Sequence, residues 1–238
     1  MIRTVWLDNP PVNAVNGGII ETLWDAFEHL EPDVRAVVLR GKGDRAFSAG
    51  ADITGFVGGA AEGERPAGIQ PVADLIERAP VPVVAAIHGY CLGGGLEIAL
   101  ACDFRIAHRE AQLGFPEVNL GLLPGGGGTQ RAPRLISRGR AAWLVMSGER
   151  IPADLAGSWG LVEFVVDDLE EGIARYVEPL DRQSPHAIGQ IKSLLHDTRD
   201  ARDDEREVQA FAACLNSEDG QEGVAAFLEK RPPSWTGR

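Results

Sequence analysis

Two glutamates stand in stretches whose other residues are mostly apolar or glycine. The first is Glu97, in "GYCLGGGLEIALACD" (Gly89 to Asp103), and the second is Glu117, in "QLGFPEVNLGLLPGGGGTQR" (Gln112 to Arg131). A carboxylate inside a core helix is costly to bury unless something uses it. Pro116 fixes the chain just before Glu117, and Leu113, Phe115, Val118 and Leu120 surround it in sequence, so the carboxyl is expected to be desolvated with a raised pKa. That property suits a group that gives or takes a proton near neutrality. The glycines at 93–95 carry a second kind of chemistry. They stand where a buried strand turns into a helix, so their N–H groups lie at the positive helix end and stabilise negative charge. Glu97 follows Gly94 by about one helical turn, which lets both face one cavity.

"FSAGAD" (Phe47 to Asp52) supplies a third component. Gly50 permits a tight bend, and Ala51 can then turn its N–H inward; aimed with the Gly94 N–H at one oxygen, the two donors would form an oxyanion hole. Taken singly, each stretch also has a plain structural reading. A turn explains "FSAGAD", close strand-to-helix packing with Glu97 emerging into solvent explains the triple glycine, and a surface loop explains Glu117.

Other chemistries fail on spacing. The run Gly125 to Gly128 lacks the Lys-Ser/Thr that completes a P-loop, and no GxGxxG follows the first strand. No GxSxG marks a serine nucleophile, and Ser48 and Cys91 have no evident base beside them. The five histidines, His29, His88, His108, His186 and His196, show no metal-ligand spacing, so no metal site is expected.

These residues need elements to hold them. "TVWL", "RAVVLRG" and "VPVVAAIHG" read as strands. Between the first two, Ile20, Leu23, Trp24 and Phe27 recur at helical spacing; a second helix is expected over Val72 to Arg78 and a third from Gly94. Strands alternating with helices imply crossover units and an α/β core. After Pro124 the pattern turns helical, with stripes at Leu169, Ile173, Val177 and Leu180, at Val208, Phe211, Ala212 and Leu215, and at Val224, Phe227 and Leu228, and with a short strand at Val162 to Val166. Val57 to Gly68 is the most loop-like segment.

At 238 residues the chain suits one domain, or one domain with a helical appendage. A formal net charge of -12 argues against a nucleic-acid partner, which needs a basic footprint. Three widely spaced cysteines, Cys91, Cys102 and Cys214, fit a reduced, cytoplasmic setting. No secretory signal is read at the amino terminus. The longest apolar stretch, Val81 to Cys102, is broken by Pro82, His88, glycines and Glu97, so no membrane span is expected.

"AFSAGADI", "HGYCLGGGLEIALACDFRIA", "LGFPEVNLGLLPGGGGTQR" and "SEDGQEGVAAFLEKRPPSWTGR" together resemble the crotonase superfamily, in its enoyl-CoA hydratase/isomerase branch, nearly end to end. The resemblance implies an α/β spiral of ββα units over residues 1–180 and a helical carboxyl-terminal trimerisation region over 181–238. It implies a homotrimer or a hexamer built as a dimer of trimers. The substrate it implies is an acyl-CoA thioester, with coenzyme A arriving as part of the substrate and no separate cofactor. Carried over by position, the oxyanion-hole N–H groups fall on Ala51 and Gly94 and the hydratase acids on Glu97 and Glu117, with Ala49, Gly50, Asp52, Ile53, Gly93, Pro116 and Gly125 lining the substrate site. Glu97 is expected as the base toward water and Glu117 as the acid. Retention of both acids favours hydration of a 2-enoyl-CoA; an isomerase, or a dehydratase of a specialised hydroxyacyl-CoA, is the alternative. The first strand looks abbreviated against the family pattern, and the Val57 to Gly68 loop is expected to shape the acyl pocket. Lys230 or Arg231 from a neighbouring subunit is the expected contact for coenzyme A phosphates.

Overall fold

The computed structural model describes residues 1–52, 68–197, 213, 214 and 216–238. Five strands form an all-parallel sheet: β1 (Ile2–Leu7), β2 (Ala36–Gly41), β4 (Val83–Ile87), β6 (Phe104–His108) and β9 (Phe164–Val166), in the order β1-β2-β4-β6-β9. β1 pairs with β2 along all six residues, from Ile2 opposite Ala36 to Leu7 opposite Gly41. The inner strands β2 and β4 read as largely apolar runs because both sheet faces are covered there, whereas β1 at the edge leaves Arg3 half-buried and Thr4 and Trp6 exposed. Val37, Leu39, Val83, Ala85 and Ile87 enter the main core. Ala36, Val38, Val84, Ala86 and Ile106 point the other way and pack with Val177, Ile173 and Tyr176.

A second sheet, β3 (Ala46–Ser48), β5 (Tyr90–Leu92), β7 (Gln112–Gly114) and β8 (Arg150–Pro152), continues from the first. Each of its first three strands follows a long strand within a few residues, β2 into β3, β4 into β5 and β6 into β7, and these three run parallel. β8 closes the edge antiparallel to β7. Helices α2 (Ile69–Arg78) and α3 (Gly94–Ala101) follow the first and second of these pairs, and a 3-10 helix (Pro116–Leu120) with α4 (Gly128–Leu135) follows the third. This is the spiral of ββα units that the resemblance implies.

α1 (Gly17–Glu28) is capped by Asn16, whose side chain accepts the Ile19 N–H at 3.0 Å. Its buried face is Ile19, Leu23, Ala26 and Phe27, so the expected stripe is rotated by about one residue. Trp24 stays 41% exposed with its indole N–H donated to Glu28, and Ile20 is half-buried. α2 begins three residues before the expected Val72, on Gly68, which holds φ at +77°. Every residue of α3 is buried, as befits a helix apolar around its circumference.

Further along stand α5 (Arg138–Ser147), α6 (Ala153–Trp159), α7 (Leu169–Tyr176), α8 (Pro185–Asp197) and α9 (Glu218–Glu229). The Leu169 stripe runs through α7 to Val177, and beyond it Pro179 lies in a 3-10 turn (Glu178–Arg182). In α9 Val224 is 52% exposed and Ala226 faces inward, a correction to the expected stripe. The stripe at Val208, Phe211, Ala212 and Leu215, the side chains of Phe227 and Leu228, and the segment Val57 to Pro66 with Ala67 lie outside the described residues. Among the described residues no helix is long and apolar enough to cross a membrane.

Arg105, in the middle of β6, is 1% exposed and fixes the far end of α3. Its guanidinium donates to the carbonyls of Cys102 (3.0 Å), Ala99 (3.4 Å) and Leu161 (2.9 Å) and pairs with Glu163. Two of those carbonyls are the orphan acceptors at the carboxyl end of α3. Arg105→Met keeps most of the volume and removes these charged hydrogen bonds, so urea unfolding is expected to register a loss of about 3 kcal/mol; a loss under about 1 kcal/mol would contradict this role for Arg105.

Candidate active site

Where β5 ends, Gly93 adopts φ +48° and ψ -125° and donates its N–H to the Gly114 carbonyl at 2.9 Å. The three glycines then serve different neighbours. A Cβ on Gly93 would lie 2.7 Å from Glu117 Oε1, so the carboxyl of Glu117 rests directly over this backbone. A Cβ on Gly94 would lie 2.6 Å from Ile69 Cδ1 and 3.3 Å from the Ala51 nitrogen. A Cβ on Gly95 would strike Ser48 at 2.6 Å, which is close strand-to-helix packing and nothing more.

Ala51 reaches the same place by a parallel bridge to Val15. Val15 donates to the Gly50 carbonyl (2.8 Å) and accepts from the Asp52 N–H (2.9 Å). In that pattern the groups flanking Ala51 face Val15 and the Ala51 N–H points to the opposite side. Gly94 is the first residue of α3, so its N–H is among the donors that a helix leaves unpaired. Two N–H groups thus stand next to each other, as an oxyanion hole needs.

Glu97 does not emerge into solvent: it is 2% exposed. Its Oε1 accepts the Gly126 N–H at 2.7 Å and the Gly128 N–H at 2.8 Å. Burial raises its pKa above the ordinary carboxylate value, while those two N–H groups and the Arg131 charge pull it back down. Glu117 opens the 3-10 helix behind Pro116 and is half-buried, yet its Oε2 is buried with no hydrogen-bond partner among the described residues. Burial pushes its carboxyl up to about 7, and the charge of Glu97 acts in the same direction. Glu97 thus draws two donors from the glycine loop, whereas Glu117 has its own backbone N–H and an Oε2 without a partner among the described residues. At both, backbone donors oppose the upward push of burial, and at Glu117 burial carries the carboxyl to about 7.

The other residues expected at the site divide. Gly50 lies within 3.9 Å, by its would-be Cβ, of the Gly94 nitrogen, and Ala49 is half-buried with its N–H committed to the Val12 carbonyl at 3.0 Å. Asp52 is half-buried beside Ala51, Pro116 opens the turn that carries Glu117, and Ile53 lies outside the described residues. Gly125 is exposed, with open space where a Cβ would be. The glycines that reach Glu97 are Gly126 and Gly128, and the signal for them was the glycine run itself. Cys91 is fully buried and burial pushes its thiol well up, away from nucleophilic use. Among the described residues no group of three or more His, Cys, Asp or Glu side chains could hold a metal ion.

A ββα spiral that brings two carboxyls, and two backbone N–H groups without a partner among the described residues, to the amino end of one buried helix defines a crotonase-fold enzyme of the hydratase kind. The chain matches the enoyl-CoA hydratase/isomerase family over residues 1–238. It is 38% identical over 249 residues to a probable enoyl-CoA hydratase of Bacillus subtilis (strain 168), covering 99% of this chain and 95% of that protein. It is 35% identical over 257 residues to a carnitinyl-CoA dehydratase of Salmonella typhi, covering 100% and 95%. The crystal structure of an enoyl-CoA hydratase from Bacillus anthracis superposes with a TM-score of 0.93 at 38% identity, covering 100% of this chain and 96% of that one. The chain belongs to the enoyl-CoA hydratase/isomerase family.

The glycine loop gives a paired expectation. A methyl group on Gly126 would lie 2.4 Å from Ile69 Cγ2 and 2.6 Å from Glu97 Oε2, whereas one on Gly125 meets nothing within 4 Å. Thermal unfolding is expected to place Gly126→Ala about 1–3 kcal/mol below the parent and Gly125→Ala within about 0.5 kcal/mol of it. Equal effects at the two positions would contradict the packing described.

Proposed function

We propose that the chain is an enoyl-CoA hydratase, adding water syn across the double bond of a 2-enoyl-CoA thioester to give a 3-hydroxyacyl-CoA. The observation that carries this reading is the contrast between Glu97, which accepts two N–H groups, and Glu117, whose Oε2 has no partner among the described residues. The thioester carbonyl accepts hydrogen bonds from the Ala51 and Gly94 N–H groups. As electrons move onto its oxygen these bonds strengthen, and that difference lowers the barrier. Glu97 takes a proton from a water whose oxygen bonds to Cβ. Glu117 gives its proton to Cα, and a proton passed between the acids resets the pair. No separate cofactor enters, because coenzyme A comes with the substrate.

Two acids support hydration over double-bond migration, which needs only one group to carry a proton between two carbons. Dehydration of a specialised 3-hydroxyacyl-CoA is a second reading, favoured by the similarity to the carnitinyl-CoA dehydratase; the same groups then act in reverse. Arg231 is a poor candidate for the coenzyme A phosphates, since its guanidinium is held by Glu222 and Glu229 of its own chain, which leaves the exposed Lys230. A homotrimer or dimer of trimers would cover Leu123 and Met146, which are 69% and 75% exposed.

Loss of the conjugated absorbance of but-2-enoyl-CoA tests the reading. Glu97→Gln and Glu117→Gln are each expected to lower kcat by roughly 10²–10⁴-fold with coenzyme A binding retained. Because Glu117 must hold its proton and Glu97 must have lost its own, kcat/KM for hydration is expected to fall as pH rises through about 7 and to fall again on the acid side as Glu97 takes up a proton, the pair titrating together. A parent protein that binds coenzyme A and leaves the absorbance unchanged would overturn hydration and bring the dehydratase panel forward.

A further inference from the structure

Helix α2 is fastened to the surroundings of Glu97 at both ends. Its first residue, Ile69, fills the space above Gly94 and Gly126. Its last turns present Asp74 and Glu77 to Arg131, the fourth residue of α4, whose side chain is 7% exposed. The guanidinium of Arg131 donates through Nε and Nη2 to the two oxygens of Glu77 (3.0 and 2.9 Å) and through Nη2 to Asp74 (2.8 Å). Its remaining nitrogen, Nη1, donates to the carbonyl of Gly126 at 2.9 Å. Gly126 is the residue whose N–H is held by Glu97 Oε1. Between them, Gly127 keeps φ at +105°, and a Cβ there would fall 1.9 Å from Arg131 Nη1. The loop is glycine at this point so that a buried cation can lie against it.

We propose that Arg131 is a positioning residue for the proposed base: by holding the Gly126 carbonyl it keeps the Gly126 and Gly128 N–H groups aimed at Glu97 Oε1. The inference rests on the hydratase reading, in which Glu97 accepts the proton of water. Only a planar fork can meet Glu77 with two donors and still spare a third for Gly126, so lysine is not equivalent here. The cation also acts at a distance. Arg131 from α4 favours ionised Glu97, Glu117 from the 3-10 helix opposes it, and Asp74 and Glu77 from α2 stand behind the guanidinium and partly offset its charge. A link serving only to join α2 to α4 would alter stability and leave the pH dependence of turnover where it was.

The test is the pH profile of but-2-enoyl-CoA hydration for Arg131→Gln, Arg131→Lys and Glu77→Gln, with Glu97→Gln as control. Arg131→Gln is expected to lower kcat 10- to 100-fold with KM within about threefold, and to move the acid limb of kcat/KM upward by about one unit. Arg131→Lys restores the limb while recovering only part of kcat. Glu77→Gln, which frees the guanidinium of an opposing charge, moves the limb the other way. If Arg131→Gln does not fold, the opposite shift in Glu77→Gln carries the test. Limbs fixed in every folded variant, or losses confined to KM, would overturn the role of Arg131. Parent-like rates in Glu97→Gln would overturn the hydratase reading instead, whatever the Arg131 variants do.

Discussion

The structure turns on burying one carboxylate. Glu97 lies in a helix of eight buried residues, and an ionised carboxyl there would be strongly unfavourable without donors. The loop from Pro124 to Gly128 supplies them by turning its backbone N–H groups inward, and it can do so because Gly126 and Gly128 carry no side chain to obstruct the approach. Ile69, Phe115 and Arg131 then close around that loop. Ile69 belongs to α2, Arg131 to α4 and Phe115 to the link between β7 and the 3-10 helix, so the position of one oxygen atom constrains α2, α3, α4 and that link together.

The spiral explains why the pieces arrive where they do. Each turn runs a long strand into a short one and releases the chain at the same end of the second sheet. The first turn, β2 into β3, delivers Ala51. The second, β4 into β5, delivers Gly94 and Glu97, and the third, β6 into β7, delivers Glu117. Parallel pairing of β3, β5 and β7 puts those three exits side by side, and Gly93 joins two of them by donating to the carbonyl of Gly114. Repetition of a simple unit thus assembles residues more than sixty positions apart.

Much of this was legible in the chain. Strands alternating with helices announced an α/β core, and the unusual setting of Glu97 and Glu117 marked both as candidates before any likeness was considered. What could not be read was convergence. The glycine run at 125–128 does not fit a phosphate-binding pattern, and its Gly126 and Gly128 donors serve a carboxylate of the protein itself. Arg105 and Arg131 were passed over because a lone arginine carries no periodic signal; their roles arise from carbonyls and acids at long sequence separation. The register of α1 was misjudged by one residue because Trp24 counts as apolar in a pattern, yet its indole N–H draws it to the surface beside Glu28.

The two carboxyls also illustrate how one cavity separates like groups. Desolvation acts on both in the same direction, so burial alone could not assign them different proton states. The difference comes from the backbone. Glu97 faces the glycine loop, while the Oε2 of Glu117 has no hydrogen-bond partner among the described residues. A substitution that leaves both carboxyls in place but withdraws the loop donors removes that asymmetry, so the difference between the two resides in the main chain of residues 126–128 as much as in the glutamates themselves.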